Sequence, residues 1–400
     1  MTAALRPRYW ADVIGSVFDQ SGPANRQLRR GLAALLVFVM ITSLPQYLAW
    51  MPGTDLEIPL QAASRWATGG QPYVASSFAL LSGTGLPFLY PPWLLPLLVP
   101  FTYLPRPLIL GAWLILVAGA SIWTCRRLAV PWRMVPLVLL WPPFMEGLVA
   151  GNVQLLQLAA FTALFFLPGR NWEPRPRRLG TRDRDADRRS PTLGRDVWDG
   201  FLAAGVGALK YTQLLPLAWL LRPRPRSAIL GAIGLAIIVV VMLPFTGIGV
   251  YGDWLDQLGR AADPTWAPAG GPLAFLIGRP LATAAAVFAV GAMFFVRGRD
   301  TAAWVGIALI VAAPSVHGYG MLFLLPALLV LRRDLAIFLA ILIARYSLYN
   351  WWFSIAVAAV ALAASNWIPA LRAKAQSADE IESAASGEAA TAAVGTAAAS

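Results

Sequence analysis

The chain has 400 residues, of which 58% are hydrophobic and 13% charged, with a mean hydropathy of +0.61. A soluble domain carries roughly 25% charged residues, so this composition excludes a globule that covers its own surface in water. The net charge of +12 resides in short Arg and Lys clusters between apolar runs. That is the positive-inside pattern of a polytopic membrane protein, with no basic face or recognition module to suggest nucleic acid.

Residues 1–30 read as a cytoplasmic N-terminus ending in Arg26, Arg29 and Arg30. The apolar run from Gly31 to Trp50 is longer than a signal core, and no small-residue cleavage site follows it. It is therefore expected to remain as the first membrane helix. Beyond it lies an expected outer loop, 51–107. Ile58, Ala62, Arg65 and Trp66 recur at helical spacing, which predicts a helix over 56–68 lying on the bilayer. The apolar run Tyr90 to Leu104 is interrupted by Pro91, Pro92, Pro96 and Pro100. A crossing here would deliver Arg126, Arg127 and Arg133 to the outside, so the run is read as a juxtamembrane or re-entrant helix.

Helices of about 12 to 20 residues are then expected near 108–125, 134–149, 153–168, 198–209, 212–221, 228–246, 280–296, 302–314, 319–331, 334–348 and 351–367. With the first, they make about twelve crossings, and this alternation puts every strong basic cluster on the cytoplasmic side. The fold class is all-α, with a transmembrane domain spanning 31–368 and both termini cytoplasmic. Two segments are expected to be disordered: the Arg-rich cytoplasmic loop 169–197 and the Ala/Ser/Gly/Glu tail 369–400.

The polar residues that remain collect at the outer ends of the helices, as a cavity opening outward requires. Asp55 follows the first helix closely, where it can serve as a general base for a hydroxyl or simply cap the helix over 56–68. Glu57 suits the dipole of that helix or an acceptor contact. Lys210, between two short apolar helices, can face a phosphate or snorkel to the interface. His317, the only histidine, interrupts two apolar runs between Ser315 and Gly318, which fits phosphate contact or proton transfer as well as a structural role. Asn152 and Gln154 open an apolar helix, either binding sugar hydroxyls or capping. The segment 247–272 is expected as an outer loop whose Asp253 and Trp266 mix acid and aromatic character, as acceptor-sugar surfaces do. Gly247, Gly249 and Gly252 satisfy a dinucleotide-binding spacing, but no βαβ unit surrounds them. The single Cys125 permits no intramolecular disulfide and no cysteine metal site, and no metal ligand set is expected.

These residues carry a resemblance. Asp55, the Gly69-to-Tyr73 segment (Gly-Gly-Gln-Pro-Tyr) and Tyr90-Pro91-Pro92-Trp93 resemble the GT-C class of polyprenyl-phosphate-sugar glycosyltransferases. Gly151-Asn152-Val153-Gln154, Ala208-Leu209-Lys210-Tyr211 and Ser315-Val316-His317-Gly318-Tyr319 follow in the order seen in glycosyltransferase family 87, across roughly residues 30–350. Tyr211 stands where proline is common, and Asn152 where glutamine is usual. The resemblance implies a GT-C-type fold in the plasma membrane with its active site extracytoplasmic. It implies an inverting transfer of a hexose, mannose first, from polyprenyl phosphate to a lipid or glycan acceptor, without a cofactor. Asp55 would act as the catalytic base, and His317, also catalytic, would help Lys210 and Arg106 stabilise the departing lipid phosphate. Lys210, Arg106, Tyr90, Asn152, Gln154, Tyr211 and Tyr319 would hold the donor. The residues by themselves leave open a lipid or solute transporter, or a polymerase or ligase of lipid-linked glycans.

Overall fold

The computed structural model describes residues 23–48, 52–79, 85–166, 193–261, 273–296, 300–313, 316–345 and 347–365. The expected disordered loop and tail fall almost entirely outside these residues. The described chain is helical apart from one antiparallel hairpin, β1 (Ala75–Ala79) with β2 (Gly85–Pro87).

Long helices form where apolar sequence runs without a break. Four are long and apolar enough to cross a membrane, by length and composition: the first contains Gln27–Pro45 within α1 (Pro23–Leu48), and a later one is Pro225–Thr246. Arg106–Arg127 and Leu348–Ser365 are the others, and a fifth is available if the pair flanking a 71° bend counts as one broken span. The twelve expected crossings are thus not all matched by long helices among the described residues. Proline accounts for part of the difference, because it removes a helix-interior hydrogen bond and is best tolerated in a first turn. Pro142 and Pro143 open α6 (Pro142–Ala150) directly after the bend at Trp141. Elsewhere 3₁₀ turns, Tyr211–Leu214 and Gly318–Leu324, precede helices that begin with Pro216 and Pro326 near their first turn.

The expected helix over 56–68 is α2 (Thr54–Ala67). The proline-broken run after Tyr90 yields only the nine-residue α3 (Leu94–Thr102), well short of the roughly 20 residues a crossing needs. It packs on α2 and leads into α4 (Arg106–Arg127). The segment expected as a loop from 247 instead starts with a helix, α11 (Ile248–Ala261). Its sequence alternates apolar and polar residues at helical period, a signal that the surrounding glycines obscured.

The core is organised around the helix Thr301–Val311, whose residues 301–310 are all buried, as a helix apolar on every side must be. Against it pack Arg279–Phe295, Leu325–Val330 and the 3₁₀ turn Gly318–Leu324, and α7 (Gln154–Phe166) packs on that turn. The opposite situation holds on Pro225–Thr246, where Ile229, Ile233, Ile237, Val240 and Val241 are exposed. A contiguous apolar belt of this kind is a lipid-facing surface.

Candidate active site

Two glycines set the geometry. Gly53 (φ 78) precedes α2, and Gly151 (φ 66) ends α6; both adopt the left-handed conformation that a side chain resists. The Gly53 N–H donates to the carbonyl of Val149 at 2.8 Å, tying the start of α2 to the end of α6. The Trp113 indole of α4 donates to the Gly151 carbonyl at 2.6 Å, and a Cβ on Gly151 would press to 3.1 Å from that ring. Three segments distant in sequence therefore meet at one joint, which brings Asp55 opposite Asn152.

Asn152 is 1% exposed and uses both ends of its amide. Its Oδ1 accepts the Gln154 backbone N–H at 2.7 Å, capping α7. Its Nδ2 donates to Asp55 Oδ2 at 2.6 Å, a charge-assisted bond to an ionised carboxylate. Capping and binding, alternatives for Asn152 in the sequence, are thus both open to one side chain. Asp55, in contrast, caps nothing: the N-cap of α2 is Gly53, without a side-chain bond.

Lys210 follows α8 (Leu193–Ala208) at the turn where the chain tightens into 3₁₀ geometry. Its Nζ lies 5.5 Å from the centroid of the Tyr319 ring, within cation–π range. His317 stacks on the same ring at 5.2 Å and 20°. The Tyr319 backbone N–H donates to Glu146 Oε2 at 3.1 Å, and Glu146 is only 3% exposed.

Asp55, Tyr90, Lys210 and His317 are each half-buried. Desolvation raises Asp55 above the ordinary carboxylate value, partly offset by the Asn152 bond and the positive charge of Lys210. Lys210 is lowered by the same burial, with Asp55 opposing the shift. Burial and then the Lys210 charge pull His317 down to about 4, so its imidazole is neutral at pH 7. Tyr90 is held in its protonated form by burial and by the Asp55 carboxylate. These mutual influences couple the Asp55 carboxylate, the Lys210 ammonium, the neutral His317 imidazole and the Tyr90 phenol.

The site opens into an apolar groove of about 690 Å³. Asp55 and Tyr90 stand in its wall; Leu98, Phe101, Leu108 and Leu116 from α3 and α4 extend it, and Val153 and Leu209 close the polar side. Phe101, Leu108 and Leu116 are themselves exposed on the outer surface.

Other candidates lie elsewhere. Arg106 makes an ion pair with Glu57 at 3.4 Å, and Glu57, two residues past Asp55, leaves α2 on a different face. Gln154 is buried, and its Oε1 has no hydrogen-bond partner among the described residues. Asp253 accepts a hydrogen bond from Gln71 Nε2 at 2.9 Å, joining α11 to the turn before the hairpin. Beside it, the Trp254 indole donates to Leu89 O at 3.1 Å, and Tyr73 Oη donates to Tyr90 O at 2.9 Å. Trp266 and the Tyr211 side chain lie outside the described residues. The sequence put Glu146 among the polar residues of the outer rim without a specific role, and gave Trp113 none. A glutamate inside the apolar run Pro142–Ala150 was a usable signal; the indole bond of Trp113 left no trace in local sequence. Among the described residues, no group of three or more His, Cys, Asp and Glu gathers into a cation site.

A helical membrane protein with a mixed polar cluster at the mouth of an apolar groove is the class these features define. The family description for glycosyltransferase family 87 matches residues 88–314, more than half of the chain, and the protein belongs to that family. It is a membrane glycosyltransferase. Tyr90, Asn152 and Lys210 fall within the matched residues, His317 and Tyr319 lie just past their end, and Asp55 lies well before their start. No curated protein and no solved structure matches the chain.

Proposed function

We propose that the enzyme transfers a hexose, mannose as the leading candidate, from a polyprenyl-phosphate donor to a lipid or glycan acceptor, with inversion, on the extracytoplasmic face of the plasma membrane. The observation that carries this reading is the position of Asp55. It is held by Asn152 beside Lys210, in the wall of a groove whose remaining surface is apolar. A polyprenyl chain suits such a groove, and a phosphate at its polar end would meet Lys210.

The acceptor hydroxyl attacks the anomeric carbon while Asp55 takes its proton. The bond from that carbon to the phosphate oxygen breaks, and its electron pair leaves with the lipid phosphate. Lys210 balances the charge that develops on the leaving group, and neutral His317 donates a hydrogen bond to it. The raised affinity of Asp55 for protons favours this base role. Because the phosphate is a good leaving group, most of the rate comes from orientation and charge shielding. Gln71, Asp253 and Trp254, at the hairpin and α11, are the proposed acceptor side.

Membranes containing the protein, supplied with radiolabelled polyprenyl-phosphate-mannose and a panel of candidate acceptors, test the reading. Transfer that disappears in Asp55→Asn, with the protein still inserted, supports it. Full transfer in that variant overturns the mechanism, and use of a sugar nucleotide in place of the lipid donor overturns the donor assignment.

A further inference from the structure

We infer that Glu146 is a positioning residue, whose buried carboxylate holds the His317–Tyr319 turn, and with it Lys210, in register with Asp55. The inference rests on the proposed function for its activity readout, though not for its structural one.

Glu146 sits in the middle of α6, the nine-residue helix whose other end carries Gly151 and, one residue further, Asn152. Its Oε2 accepts the Tyr319 N–H, and a Cβ added to Gly318 would land on that same oxygen. The turn is therefore threaded onto the carboxylate with no room for a side chain at position 318. Downstream, the Tyr319 ring carries both His317 and the Lys210 ammonium. Upstream, the same helix ends in the amide that grips Asp55. One short rigid segment thus measures the distance between base and cation. Burying a carboxylate is costly unless its oxygens are bonded, and here the bond goes to main chain, which any side chain at 319 would leave available.

The role requires an acceptor oxygen at position 146 rather than a negative charge. Glu146→Gln keeps that oxygen and should retain transfer within about fivefold of wild type, since a neutral acceptor weakens the bond without removing it. Glu146→Ala should lose about 100-fold in kcat, the usual scale for displacing a catalytic group by an ångström. Gly318→Ala should fall similarly, and Glu146→Ala combined with Gly318→Ala should be no worse than either alone, because removing the carboxylate vacates the space the new methyl needs.

Hydrogen–deuterium exchange of the full-length protein in detergent gives a readout independent of any substrate. The amides of 318 and 319 should exchange about tenfold faster in Glu146→Ala and stay near wild type in Glu146→Gln. If Glu146→Gln is as inactive as Glu146→Ala while its exchange is unchanged, the residue acts by charge or proton transfer and the inference fails. Unchanged exchange in Glu146→Ala overturns it as well. A wild-type protein that transfers nothing from the lipid donor indicts the proposed function instead, and the exchange result still decides this one.

Discussion

Near its start, α8 carries two carboxylates that are already spoken for. Asp196 Oδ1 accepts from Ser227 at 2.9 Å, and Asp199, 0% exposed, pairs with Arg224. The flanking helices close tightly there, since a Cβ on Gly200 would strike the Ser227 carbonyl. Towards the other end, about 16–21 Å further at 1.5 Å per residue, Lys210 shares its surroundings with Asp55, Tyr319 and His317 around a groove that stays open. Both ends hold charge out of water. At the first end the charges are matched and sealed by packing, which is a structural solution; at the second they are left half-exposed toward a cavity, where a substrate can complete them. Incomplete satisfaction, more than burial, separates the two.

The sharpest way to break this contrast is to remove the base. Asp55→Asn should reduce transfer by about 10³-fold, in the range of a lost general base, with its melting temperature in detergent within a few degrees of wild type. A large loss of melting temperature would make Asp55 a structural residue like Asp199. Next in size, Lys210→Met should lower kcat about 10²-fold, as removal of one transition-state charge partner does. Because that charge also influences its neighbours, Lys210→Met should move Asp55 further up and His317 back toward 6.5.

Asp199→Ala works from the other side. Leaving Arg224 without its carboxylate should lower stability by about 3 kcal/mol, read by thermal or denaturant unfolding, while kcat per folded molecule stays near wild type. Loss of transfer without loss of stability would erase the distinction between the ends. The smallest effect is in pH dependence. Asp55 must be unprotonated, and its affinity for protons is raised, so activity falls with decreasing pH through a value above 3.8. Lys210 must be charged, and its value is lowered, so activity falls with increasing pH through a value below 10.5. A bell-shaped profile of kcat/KM between those limits checks both signs.

The residues that meet at the site were visible in the sequence because each interrupts an apolar stretch, where a polar group is expensive unless it has work or a partner. Asp55, Asn152, Lys210 and His317 stood out for that reason. Their pairing did not. The bond from Asn152 to Asp55 joins residues 97 positions apart, and the one from Tyr319 to Glu146 joins residues 173 apart. No local pattern encodes such a meeting; it comes from helices packing. Arg106 illustrates the same limit, since its charge was legible and its partner Glu57 was not. For the fold, hydropathy located the apolar runs, but period alone could not show where proline and 3₁₀ turns divide them, and glycines hid the helical period of Ile248–Ala261.

The joint at Gly53 and Gly151 carries a consequence for how such an enzyme can change. The chain leaves α2, makes the hairpin, passes through α3 and returns along α4 before Trp113 reaches the Gly151 carbonyl. Because Gly53 is fastened to Val149 before that excursion begins, errors in the length or shape of the excursion do not accumulate at Asp55. Within that excursion α3 contributes Leu94, Leu98 and Phe101 to the groove wall. On the proposed function, substitutions in that wall can change which substrate fits while the joint that sets Asp55 is kept.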